Sequence, residues 1–167
     1  MARWEDILAF AFKVKARVVF TLNYLGYTQH DTVDWDVVPI YRFLNYTASR
    51  HSQSDTVYGF ELGNEPLHKG NKVQNMERYA KSHEILRNMI DTLWMHAPSS
   101  KPKLMGPATT GSSKAFSKAL SAIGSFLDVA TYHKYRLGDG EDTNLAKKAI
   151  DPSSFKRSDG FDDASFK

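Results

Sequence analysis

Two hydrophobic rhythms alternate along the chain, and together they predict helices leading into strands. Met76, Tyr79, His83, Leu86, Ile90 and Leu93 recur every three or four positions, which puts one apolar stripe on a helix that ends before Pro98. Residues 4–12 predict another helix, and Asp34 or Asp36 can cap a third, with Pro39 in its first turn and Val38, Tyr41 and Leu44 on one face. A fourth is expected from a Ser112 cap through Phe116, Leu120 and Ile123 to a stop at Gly124. Shorter apolar runs at residues 17–23, 58–65, 103–108 and 126–133 read as strands. Each strand follows a helix, so right-handed crossovers would join all four in one parallel sheet, an α/β fold with its functional loops at the strands' carboxyl ends. Those ends carry Asn23, Asn64 with Glu65, Thr109 with Thr110, and His133 with Tyr135. From Gly138 the pattern decays, which divides the chain into a domain over 1–150 and a loop or disordered end over 151–167.

Composition narrows the chemistry. The 167 residues, 41% of them hydrophobic, suffice for one domain or part of one with a substantial core, and no run is long and apolar enough to span a membrane. The absence of cysteine excludes disulfides, thiolate metal sites and a cysteine nucleophile. The first six residues lack the basic-then-apolar order of a secretory signal. The net charge is +3, and Lys101, Lys103, Lys114, Lys118, Lys134, Arg136, Lys147 and Lys148 weight the basic residues toward the second half, which fits a solvated basic surface first and an anionic polymer as ligand second. No basic and aromatic repeat of the nucleic-acid-binding kind occurs, so no nucleic-acid partner is expected. The chain has no Gly-rich phosphate loop and no Gly-x-Ser-x-Gly elbow, and its histidines lack ligand spacing, so neither cofactor nor metal is expected. Asn45-Tyr46-Thr47 matches a glycosylation acceptor but falls in a predicted helix.

The richest segment is Tyr58-Gly59-Phe60-Glu61-Leu62-Gly63-Asn64-Glu65-Pro66. Its alternation predicts a two-faced strand delivering a carboxylate, with Gly63 allowing a bend and Pro66 holding Glu65 extended at the tip. An Asn-Glu pair so placed suits glycoside hydrolysis, in which a carboxylic acid protonates the leaving oxygen while a polar neighbour binds a sugar hydroxyl. Glu61 lies roughly 13 Å down an extended strand from Glu65, too far for a catalytic pair, and is expected to be buried, hydrogen-bonded and structural.

At Glu61-Leu62-Gly63-Asn64-Glu65-Pro66 together with Thr131-Tyr132-His133-Lys134-Tyr135, the chain resembles glycoside hydrolase family 79, the heparanases and related β-glucuronidases. Phe20-Thr21-Leu22-Asn23 and Lys103-Leu104-Met105-Gly106-Pro107 support the match in order and spacing. The resemblance implies a partial TIM (β/α)8 barrel, the third to sixth strands, and retaining hydrolysis of β-glucuronide or heparan-sulfate-type glycans. It makes Glu65 the general acid/base. It makes Asn64, His133, Tyr135 and Asn23 substrate-binding, with Tyr135 near the nucleophile. Lys134 departs from the histidine usual at that place and bears on fine specificity. The nucleophile is expected beyond Lys167, so the isolated chain is expected to be inactive and to self-associate through its open half-barrel. Asp139, Glu141 and Asp142, on a turn-rich loop, are the candidate substitutes. The implied partner is an anionic polysaccharide, and the implied location is extracellular, lysosomal or peripheral to a membrane or matrix. Two alternatives stand beside this reading: a noncatalytic carbohydrate-binding or degenerate protein on a half-barrel scaffold, and a barrel glycosidase of another family acting on neutral glycans.

Overall fold

The computed structural model describes residues 2–24, 35–66, 75–110, 113–133 and 144–151. Within them the order is α1 (Ala2–Lys13), β1 (Val18–Leu22), α2 (Val38–His51), β2 (Val57–Leu62), α3 (Met76–Leu93), β3 (Lys103–Thr109), α4 (Ser113–Ile123), β4 (Val129–Tyr132) and α5 (Leu145–Ile150). The four strands form one sheet in the order β1-β2-β3-β4, and each neighbouring pair is parallel. Helices of the connections can then cover one face, as βα units require. The register aligns Thr21 with Glu61, Glu61 with Met105, Met105 with Val129 and Pro107 with Thr131.

The sheet's helix-covered face is dry. Phe60, Leu62 and Leu104 are almost fully buried, and Leu44, Leu86, Ile90, Trp94 and Ile123 close over them. Burying such side chains contributes about 1.5–3 kcal/mol each. Aromatic rings link the layers: Trp4 meets Phe20 and Phe43 edge-on at 5.0 Å each, and Phe43 meets Phe60 at 6.2 Å. Trp4 Nε1–H donates to the buried Thr47 hydroxyl at 3.1 Å, which donates in turn to the Phe43 carbonyl at 2.9 Å. Thr47 of the glycosylation-like triplet is therefore core. The opposite face is open along β1, where Val19 is 43% exposed and Thr21 and Asn23 are exposed with it, while Met105 of β3, level with Glu61, is buried.

The long helix carries the expected stripe, with Tyr79, His83, Leu86 and Ile90 buried, and Asn75 Oδ1 caps it by accepting from the Glu77 and Arg78 amides. His83 Nδ1 bonds the Tyr79 carbonyl at 2.9 Å, whereas Nε2 is buried with no hydrogen-bond partner among the described residues.

Several expectations are corrected. Helix α2 buries Ile40, Leu44, Thr47 and Ala48, while Val38 and Tyr41 are about half exposed, because the stripe that meets α3 and the sheet is rotated from the one expected. Asp36 supports the start of α2 by accepting from the Val38 amide, and Asp34 and Ser112 lie outside the described residues. Phe126 belongs to a 3-10 turn over Gly124–Phe126, so β4 begins only at Val129. Helix α5 was not foreseen, since six residues with two lysines carry little periodic signal. The expected loop end over 152–167 lies outside the described residues.

Candidate active site

Three backbone contacts build the tip of β2. Leu62 ends the strand with its carbonyl accepting from the buried Tyr79 hydroxyl at 3.3 Å. Gly63 turns at φ 79°, where a side chain is disfavoured, and its amide donates to the Leu22 carbonyl of β1 at 2.9 Å. The Glu65 amide donates to the Ala108 carbonyl of β3 at 2.9 Å. The expected bend at Gly63 is present, but an extended Glu65 is not: its φ is 48°, and the residue it bonds, Ala108, has φ 49°. Pro66 disfavours the right-handed helical region for the residue before it. The bond to β3 then selects the left-handed region over the extended one, at a cost of roughly 1–2 kcal/mol for a residue with a Cβ.

This turn carries the Glu65 carboxylate to His133. Nδ1 of His133 lies 2.9 Å from Glu65 Oε1, with the Glu65 side chain 15% and the His133 side chain 29% exposed. His133 follows β4 directly and is held by its own amide, which donates to the Thr109 carbonyl at 2.9 Å. When Glu65 is ionised the imidazole donates through Nδ1–H to Oε1. Residues adjacent in no part of the sequence are thus joined across β2, β3 and β4.

The other candidates fall around this pair. Asn64 precedes Glu65 and is exposed, and Asn23 is exposed at the end of β1 with its carbonyl accepting from Trp35 Nε1 at 3.3 Å. Tyr135 and Lys134 lie outside the described residues, as do Asp139, Glu141 and Asp142. Below the tip, Glu61 Oε1 accepts from Thr131 Oγ1 at 2.8 Å and Oε2 from Thr21 Oγ1 at 3.4 Å. The expected hydrogen bonding of Glu61 is present, but the residue is half-buried rather than buried. Its two threonine partners were missed. Their signal was available in retrospect: Thr21 and Thr131 each stand two residues before a candidate at a strand end, on the same side of the strand.

A partly buried carboxylic acid fixed at one oxygen can donate a proton to a leaving group and later activate water. A retaining glycosidase sets a second carboxylate about 5–5.5 Å from the first. Among the described residues, no three His, Asp or Glu side chains converge as a metal ion would need.

The site is thus a carboxylate-histidine pair at the carboxyl end of a parallel α/β sheet, where the functional loops of such folds lie. Residues 1–165 match the N-terminal domain of glycosyl hydrolase family 79, and the chain belongs to that family. The family is one of TIM barrels, so the four βα units are part of such a barrel. The chain is 33% identical over 161 residues to heparanase-like protein 1 of Arabidopsis thaliana and 32% identical over 160 residues to heparanase-like protein 2 of the same plant. Each alignment covers 92% of this chain and 29% of the relative, so the chain spans less than a third of the length of these proteins.

Proposed function

We propose that the chain carries the acid/base part of a retaining glycosidase acting on β-glucuronide or related uronic-acid glycans, with Glu65 as general acid/base. The observation that carries this reading is the 2.9 Å contact between Glu65 and His133 at the strand ends. In the proposed cycle Glu65 protonates the glycosidic oxygen as the bond to the sugar breaks, then as carboxylate takes a proton from the water that releases the sugar. His133 holds the carboxyl, and Asn64, Asn23 and Tyr135 contact the sugar. In this reading the nucleophile that completes the chemistry comes from outside the four described strands, so these strands by themselves bind glycan without turning it over, and their open sheet self-associates. The proposed ligand is an anionic polysaccharide, which the net charge of +3 suits, and the proposed setting is outside the cell or in a lysosome. Family membership and the carboxylate at the strand tip support this reading.

A binding-only protein on the same scaffold is the second reading. The observation favouring it is that Glu61, the other carboxylate along β2, is tied to two threonines rather than aimed at Glu65. Hydrolysis of a fluorogenic aryl β-glucuronide, measured beside glucuronide binding by NMR for the wild type and Glu65→Gln, separates the outcomes. Binding that perturbs Asn64 and His133 without turnover is expected. Turnover equal in both proteins would sink the acid/base role, turnover lost in Glu65→Gln would place a nucleophile within this chain, and no binding would overturn the glycan reading.

A further inference from the structure

We propose that Glu61 and Thr131 are positioning residues for Glu65, acting through a chain of hydrogen bonds that crosses from β2 to β4, returns through β3 and ends on the Glu65 backbone. The inference rests on the acid/base reading of Glu65. Thr131 Oγ1 donates to Glu61 Oε1 at 2.8 Å and accepts from the Ala108 amide at 3.2 Å. The carbonyl of Ala108 accepts from the Glu65 amide at 2.9 Å. A hydroxyl has one proton. Because Glu61 takes it, the lone pairs of Thr131 face the Ala108 N–H, and the carboxylate thereby orients the acceptor that holds Ala108.

Both residues at the far end of this chain need holding. Ala108 and Glu65 lie in the left-handed region at φ 49° and 48°, where a side chain is disfavoured, so each would relax if its partner were lost. Thr21 Oγ1 reaches Glu61 Oε2 from β1, so the Glu61 carboxylate is tethered toward both edges of the sheet. Thr131 and His133 are two residues apart on β4 and its continuation, which puts both on the side of the sheet that faces Glu65. The carboxyl group of Glu65 and its backbone are therefore gripped from β4 by separate routes: His133 directly, and Thr131 through Ala108.

Amide hydrogen exchange followed by NMR on the 167-residue chain tests this. Thr131→Val keeps the side-chain shape and removes the hydroxyl. It is expected to speed exchange of the Ala108 and Glu65 amides by roughly five- to tenfold, the change that one net hydrogen bond supports, while Leu86 and Ile90 in α3 stay as in the wild type. Thr131→Ser is expected to restore the slow rate. Glu61→Ala is expected to mimic Thr131→Val and Glu61→Gln, which keeps a carbonyl oxygen for Thr131, to stay near wild type, so the inference does not hang on one variant. Unchanged Glu65 exchange in both Thr131→Val and Glu61→Ala, or equal acceleration throughout α3, would overturn it. The 15N shift of His133 Nδ1 in Glu65→Gln distinguishes the two levels. A shift that responds there, with Glu65 exchange unmoved by both Thr131→Val and Glu61→Ala, refutes the positioning role alone, whereas a shift that does not respond removes the Glu65–His133 pair and both readings with it.

Discussion

The two faces of the sheet are made by the same strands and live in opposite surroundings. Toward the helices, Phe60, Leu62 and Leu104 are sealed against Leu44, Leu86, Ile90 and Ile123. Toward the open side, Thr21, Glu61 and Thr131 share hydrogen bonds, and Val19 of β1 remains 43% exposed. One-residue alternation along β2 separates them: Phe60 and Leu62 supply cohesion, and Glu61 between them supplies a polar anchor. The carboxyl end belongs to neither face alone, because Glu65 is placed by backbone bonds from β3 and a side-chain bond from β4.

The comparison breaks most visibly with a matched pair of truncations. Phe60→Ala should cost about 3–5 kcal/mol in urea unfolding, as fully buried aromatic deletions do, whereas Val19→Ala on the open face should stay within about 0.5–1 kcal/mol. Equal losses would mean that the open face is packed in solution, as self-association of the sheet would achieve.

Acid sharpens the contrast next. Burial lowers the His83 imidazole from its ordinary 6.5 to about 4, an effect only partly offset by its bond to the Tyr79 carbonyl. The folded state then prefers neutral His83, so its contribution is fully present above pH 6.5 and is lost as the pH falls, because the unfolded chain takes up the proton first. Between pH 6.5 and 4 the loss should approach about 3 kcal/mol, at about 1.4 kcal/mol per unit. Unfolding free energies across that interval check this, and His83→Leu should flatten it whatever that variant does at neutral pH. The smallest effect is Trp4→Phe, which keeps most of the ring packing but removes the donor to Thr47. A loss of about 1 kcal/mol in the same urea assay is expected for that bond.

The helix-covered face was legible because burial there is periodic. The stripe from Met76 to Leu93 and the apolar runs of β1, β2 and β3 needed no tertiary information to be read. Helix α2 was less legible, since Val38, Tyr41 and Leu44 fit helical spacing as well as Ile40, Leu44 and Thr47 do, and only the neighbouring layers chose between them. At the site, the segment around Glu65 pointed to the carboxylate, and the family resemblance placed His133, at the end of β4, among the substrate-binding residues. Their contact was not written in either segment. It depends on β3 lying between them and on the left-handed turn at Glu65, which the pre-proline rule had pointed toward extended backbone.

By itself the sequence determined the alternating α/β order, the parallel sheet, the buried stripe of α3, and Glu65 with Asn64 as the residues of chemical interest, because each of these follows from local periodicity or a short contiguous motif. Only the tertiary structure decided that Glu65 is left-handed, that His133 holds one of its oxygens, and that Glu61, Thr131 and Ala108 form a hydrogen-bonded route to its backbone. Those features join residues 23 to 70 positions apart, and such distances are closed by strand pairing and register, which no local pattern encodes.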